Sequence, residues 1–147
     1  MTVYYEDLEI GQIIDYGSYT MDKAEMIAFA ETWDPRPFHT DEDFAKTTLF
    51  AGLTASGSQT IAVFTRVCNV GTADWAVRGA FGYEKLAFAA PVRAGDTLTG
   101  RSEITAKRLS KSRPGLGIVT SNDMLTNQDA EPVLDLTVSF LIELRPA

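Results

Sequence analysis

Between Gly57 and Cys68 the apolar residues Ile61, Ala62, Val63, Phe64 and Val67 crowd more than one side of a helix, so the segment needs other structure wrapped around it. The rest of the chain can supply that wrapping. Runs from Phe81 to Ala89, Thr97 to Lys107, Ile118 to Leu125 and Val133 to Leu144 read as strands, separated by turn signals at Gly95-Asp96, Pro114-Gly115 and Asn127-Gln128-Asp129. Gly11 to Tyr19 adds an extended segment ahead of the helices. A helical first half and a strand-rich second half, with no linker or repeat between them, predict an α+β domain. Its long central helix would lie against a curved antiparallel sheet of five or six strands.

The chain has 147 residues and 45% apolar side chains, enough for one sizeable core, and residues 1–147 are read as a single domain. Asp22 followed three positions on by Glu25 resembles a capping box, and Met26, Ile27, Phe29, Ala30 and Trp33 give the helix after it a broad apolar face. Pro35 and Pro37 end that helix, because neither can donate a backbone hydrogen bond. The reading is a rigid, extended segment from Trp33 to His39, after which Thr40 caps a short helix carrying Asp43, Phe44 and Ala45.

Charge and side-chain inventory narrow the function. A net charge of −7 argues against nucleic acid or an anionic membrane as partner, since both attract a basic surface. The opening MTVYYEDLEIGQ lacks the blocks of a secretory signal and no apolar run is long enough to span a bilayer, so a cytoplasmic protein is expected. Cys68 and His39 are the only residues of their kinds, which removes internal disulfides and the usual Cys/His zinc sites. No metal is expected. Cys68 reads as a small apolar filler of the central helix.

Asp34 and His39 flank two prolines, which stiffen the chain between a carboxylate and the single imidazole. Adding water to an enoyl thioester requires a base for the water and an acid for the carbon that gains a proton, and an Asp/His pair supplies both. The plainer alternative is that Asp34 caps a turn and His39 is a satisfied, partly buried side chain.

The surrounding residues bear on that choice. Trp33-Asp34-Pro35-Arg36-Pro37-Phe38-His39-Thr40-Asp41, followed by Phe50-Ala51-Gly52-Leu53-Thr54-Ala55-Ser56-Gly57, resembles the hydratase signature of the MaoC-like dehydratases, a family that includes the (R)-specific enoyl-CoA hydratases. The likeness continues in Pro91 to Leu98 and Ser110 to Pro114, so it covers nearly the whole chain. It implies the hotdog fold, with Asp34 and His39 as the catalytic pair and the Gly57 amide as the donor to the thioester oxygen. Free N–H groups and the positive dipole end of a helix also favour an oxyanion there on physical grounds. A steric need at the helix start is the alternative for Gly57. Thr65 matches a position where some members carry a serine near the pair, and Ser56 would line the pocket or cap the helix.

One position departs from the family pattern: Arg36 stands where an asparagine is usual. Arginine offers only donors and a fixed charge. It would face solvent, pair with Asp34, or contact an acidic acyl group or a CoA phosphate. Lys107, Arg108, Lys111 and Arg113 form the one dense basic cluster, either a solvated hairpin tip or a grip for the phosphates of CoA or for an acyl-carrier protein.

The resemblance implies reversible syn hydration of trans-2-enoyl thioesters to (R)-3-hydroxyacyl thioesters, with no cofactor. Two other readings stay open: a thioesterase on the same fold, and a non-catalytic acyl-thioester-binding subunit. Exposed sheet edges together with the resemblance lead us to expect a homodimer or a higher homo-oligomer.

Overall fold

Buried and exposed residues alternate most cleanly on two strands, Thr97–Leu109 (β3) and Leu116–Thr126 (β4), as expected where one face meets a core and the other meets water. The computed structural model describes residues 1–147 and contains, besides these, Ile13–Thr20 (β1), Val77–Phe88 (β2) and Pro132–Glu143 (β5). All pairings are antiparallel and the order across the sheet is β1-β3-β4-β5-β2. The sheet therefore has five strands. The helices are Lys23–Trp33 (α1), Pro37–Thr40 (α2), Glu42–Lys46 (α3) and Gly57–Gly71 (α4), with a 3-10 turn at Tyr5–Asp7.

As expected, the long helix α4 is the central one, but it is not wrapped on all sides: it buries one stripe, and Ala62, Thr65, Arg66 and Val70 are exposed. Val63, Phe64 and Val67 point from it into a core shared with Tyr16 of β1, Leu98 and Ile104 of β3, Val119 and Leu125 of β4, and Leu136 and Val138 of β5. Two glycines let it approach the sheet closely. A Cβ on Gly71 would stand 2.6 Å from the Cα and carbonyl oxygen of Tyr16, and one on Gly100 would stand 2.9 Å from Val67 Cγ2. Where helix and strand backbones meet this closely, no side chain has room.

Two local expectations are corrected. The segment from Trp33 to His39 is not one extended run: Trp33 still belongs to α1, only Asp34 to Arg36 lie outside the helices, and Pro37, at a first helical position suited to its fixed φ, begins the turn α2. That turn absorbs Thr40, and the cap of α3 is Asp41, whose Oδ1 accepts from the amides of Asp43 and Phe44, both at 3.0 Å. At α1 half of the expected capping box forms: Asp22 caps the helix, accepting from Glu25 N at 2.9 Å, while the Glu25 carboxylate accepts from Tyr19 Oη instead of the Asp22 amide.

Under α4 the inner face of the sheet carries a polar patch. Asp123 is 1% exposed and accepts hydrogen bonds from Tyr16 Oη at 2.6 Å and Ser121 Oγ at 2.7 Å. Burial pushes its carboxyl up from the usual carboxylate range, and the two hydroxyls only partly offset that. A raised pKa in the folded state means stability that is complete below the normal carboxylate range and declines as pH rises through the folded value. Asp123→Asn removes this decline, so between pH 4 and pH 7 urea denaturation should show the wild type losing ground to the variant; parallel profiles would disprove it.

Candidate active site

Asp34 closes α1, its amide donating to Ala30 O at 2.9 Å. Arg36 N then donates to Asp34 O at 2.7 Å around Pro35, a three-residue turn that suits the fixed φ of proline. His39 N donates to Arg36 O at 2.8 Å, closing the turn of α2 and bringing the imidazole back beside the carboxylate. His39 Nε2 lies 3.4 Å from Asp34 Oδ2.

The imidazole is buried and held from its other side. His39 Nδ1 is 2.7 Å from Thr54 O, and since a carbonyl oxygen only accepts, Nδ1 carries the hydrogen. In the neutral ring Nε2 is then the basic nitrogen, and it faces Asp34. Phe38 meets the imidazole edge-on with centroids 4.4 Å apart, and Phe50 packs on Phe38 at 5.6 Å.

Residues 50 to 56 are tied down by groups that sequence reasoning did not find. The Arg93 guanidinium donates to the carbonyls of Phe50 and Leu53, and Ala55 N donates to Val92 O at 2.9 Å. Thr54 O is thereby held in place for His39. Ser56 is buried; its hydroxyl donates to Asp34 Oδ2 at 2.7 Å and accepts from Ser58 N at 3.3 Å as the cap of α4. It thus caps the helix, as one reading had it, but its other contact is the carboxylate.

Gly57 opens α4, and its amide, like those of any first helical turn, has no acceptor within the helix. The Phe88 ring leaves no space for a side chain at Gly57, because a Cβ would stand 2.6 Å from Phe88 Cζ. The steric reading of this glycine is therefore met, and its amide is left free to donate. A cavity of about 340 Å³ is lined by His39, Gly57, Phe38, Thr54, Phe88 and Pro91 among others. His39 and Gly57 line one space, and Asp34 stands outside its lining, behind His39 Nε2.

The other candidates lie elsewhere. The Thr65 hydroxyl donates to Ile61 O at 3.0 Å and lies 3.4 Å from Tyr83 Oη, in a second, apolar cavity of about 230 Å³ further along α4. It does not reach the Asp/His pair, because two helical turns separate it from Gly57. Arg36 is exposed and its side chain makes no bond to Asp34, so the pairing reading is not met and its guanidinium is free to face solvent or a ligand. The basic cluster is divided. Lys107 donates to the carbonyls of Tyr5 and Leu8 and sits 4.1 Å from the Tyr5 ring centroid, so it braces the N-terminal segment. Lys111 and Arg113 are exposed beside Leu116, which pairs with Glu143 near the Val77 end of β2. Gly57 meets Phe88 at the opposite end, about 20 Å away along α4 at 1.5 Å per residue, so within one chain these two side chains do not reach the cavity.

Residues 7–124 match the MaoC like domain. The chain belongs to the MaoC-like family. Over 103 residues this MaoC-like protein is 32% identical to the (R)-specific enoyl-CoA hydratase of Rhodospirillum rubrum, with 69% of each chain covered. It is similar to the crystal structure of a MaoC-like dehydratase from the same organism, with TM-score 0.91, 35% identity and 99% of both chains covered. A Mycobacterium tuberculosis protein described as a double hotdog fold superposes with TM-score 0.83 at 22% identity, over 99% of this chain and 45% of that one. The fold is the hotdog. The relatives place the chain among hydratases and dehydratases as a family. No helix is long and apolar enough to cross a membrane.

Proposed function

We propose that this protein reversibly hydrates trans-2-enoyl thioesters to (R)-3-hydroxyacyl thioesters. The observation that carries the reading is the orientation of His39: its Nδ1–H is spent on Thr54 O, so its basic Nε2 faces the Asp34 carboxylate at 3.4 Å, and His39 shares a cavity with Gly57. Two acceptors at that separation suit a water that donates one hydrogen to each. The water oxygen bonds to C3 of the enoyl group while one of its hydrogens passes to the Asp34/His39 pair. The electron pair of the C2–C3 double bond moves toward the thioester oxygen, which the Gly57 amide and the α4 dipole stabilise. C2 then takes a proton from the pair, and one water has been added across the double bond. The (R) configuration is carried by likeness to the R. rubrum hydratase.

The second cavity, lined by Phe64, Cys68, Trp75, Val77, Val138 and Phe140 among others, suits an acyl tail. A second copy of the chain completes the proposal. β2 pairs only with β5, leaving its outer edge unpaired, and it exposes Phe81, Tyr83 and Phe88. CoA or an acyl-carrier protein would present the thioester, and the setting we propose is the cytoplasm.

The test follows loss of enoyl-thioester absorbance with crotonyl-CoA and mesaconyl-CoA while free thiol is assayed in parallel. Hydration without thiol release is expected, and a preference for mesaconyl-CoA would put an acidic acyl group near Arg36. Thiol release would replace the reading with a thioesterase. Binding without either signal would indicate a non-catalytic subunit.

A further inference from the structure

We infer that Ser56 is a positioning residue for the Asp34 carboxylate, its one hydrogen bond holding Oδ2 in place beside His39 Nε2; this rests on the hydratase reading above. A hydroxyl has one hydrogen to donate, and Ser56 gives it to Asp34 Oδ2 at 2.7 Å while its oxygen accepts from Ser58 N at 3.3 Å. The residue is fully buried, so water does not compete for either bond.

Asp34 needs such a restraint. It sits where α1 has ended, with φ −152° and ψ 68°, and its side chain is 32% exposed. The terminal torsion of an aspartate is broad, so packing alone does not choose between its two oxygens. Its other neighbour, His39 Nε2, is 3.4 Å away and in the neutral ring is itself an acceptor. Ser56 supplies the one direct side-chain donor. The next residue in the chain is Gly57, whose amide is the proposed oxyanion donor. Two consecutive residues therefore set the carboxylate and the amide relative to one another, across the 22 positions that separate Ser56 from Asp34.

Two substitutions separate this role from helix capping. Ser56→Gly drops the hydroxyl, yet glycine at a cap position costs only a few tenths of a kcal/mol relative to serine. Ser56→Thr keeps the hydroxyl and the cap. With crotonyl-CoA, we expect kcat of the glycine variant to fall about 10- to 100-fold, the loss typical of a misplaced reacting group. KM should stay within about twofold and Tm close to wild type, as expected when binding and fold are untouched. The threonine variant should keep kcat within about fivefold of wild type, its hydroxyl still holding the carboxylate. A glycine variant with wild-type kcat, or a threonine variant as impaired as the glycine one, would overturn the assignment. A wild-type protein that hydrates neither thioester would overturn it together with the hydratase reading, and the wild-type control tells the two failures apart.

Discussion

Asp34→Asn and His39→Ala each lower kcat for crotonyl-CoA hydration by about 10³-fold, within the range expected when a positioned acid or base is removed. The two variants differ in what else they disturb. Asparagine keeps the shape of aspartate and an oxygen to accept from Ser56 Oγ, so its stability should stay near wild type. Alanine at 39 leaves Thr54 O without its buried donor and opens a gap under Phe38, so a loss of about 1–3 kcal/mol accompanies the loss of rate. Steady-state kinetics and urea denaturation on the same preparations separate the two effects. An Asp34→Asn variant that keeps more than a tenth of wild-type kcat would remove the carboxylate from the chemistry, even with the fold intact.

A loss of stability that leaves the Asp34/His39 pair untouched is expected from a single methyl group at the other end of α4. In Gly71→Ala the new Cβ meets the Cα, carbonyl oxygen and carbonyl carbon of Tyr16 at 2.6, 2.6 and 2.9 Å, all of them backbone atoms that cannot rotate aside. Either the helix lifts from β1 or the strand bends. Overpacking of this kind costs about 1–3 kcal/mol, and the helix propensity of alanine returns at most ~1 kcal/mol of it. A shift of the urea midpoint with unchanged m-value measures the cost. An unchanged midpoint would show that the spacing between α4 and β1 is not set at this contact. Gly117 is a useful comparison, since a Cβ there meets the ring of Tyr5 rather than backbone, and a ring can turn.

The elements that pack on one side only were legible in the sequence, and those shaped by neighbours were not. Apolar residues at helical spacing gave α4, though not its exposed face, and runs bounded by turn signals gave β3 and β4, whose inner residues Leu98, Ile104, Val119 and Leu125 are buried. β2 starts at Val77, four residues ahead of the expected Phe81, because an edge strand exposed along almost its whole length shows no alternation. Thr40 and Asp41 are adjacent and both able to cap, and the choice fell to Asp41 once Pro37 had started a turn of its own. Asp34, His39 and Gly57 could be named as a site because rigid local spacing and the family likeness pointed the same way. The supports of that site could not. Arg93 reaches back 43 positions to Phe50 O, and away from the site Lys107 reaches 102 to Tyr5 O; a basic side chain looks the same in sequence whether it ends in water or on a carbonyl.

The unpaired edge of β2 divides the protein into parts with different freedom to vary. Asp34, His39 and Ser56 are cross-linked to one another and to the chain around them, so nearly any substitution among them would be felt by the reaction. Phe81 and Tyr83, by contrast, are anchored along one side only and stand apart from the acid–base pair. On the proposed reading, a lineage of such proteins can exchange the residues that would meet a new thioester, or a new copy of itself, while inheriting the Asp34/His39/Ser56 arrangement unchanged.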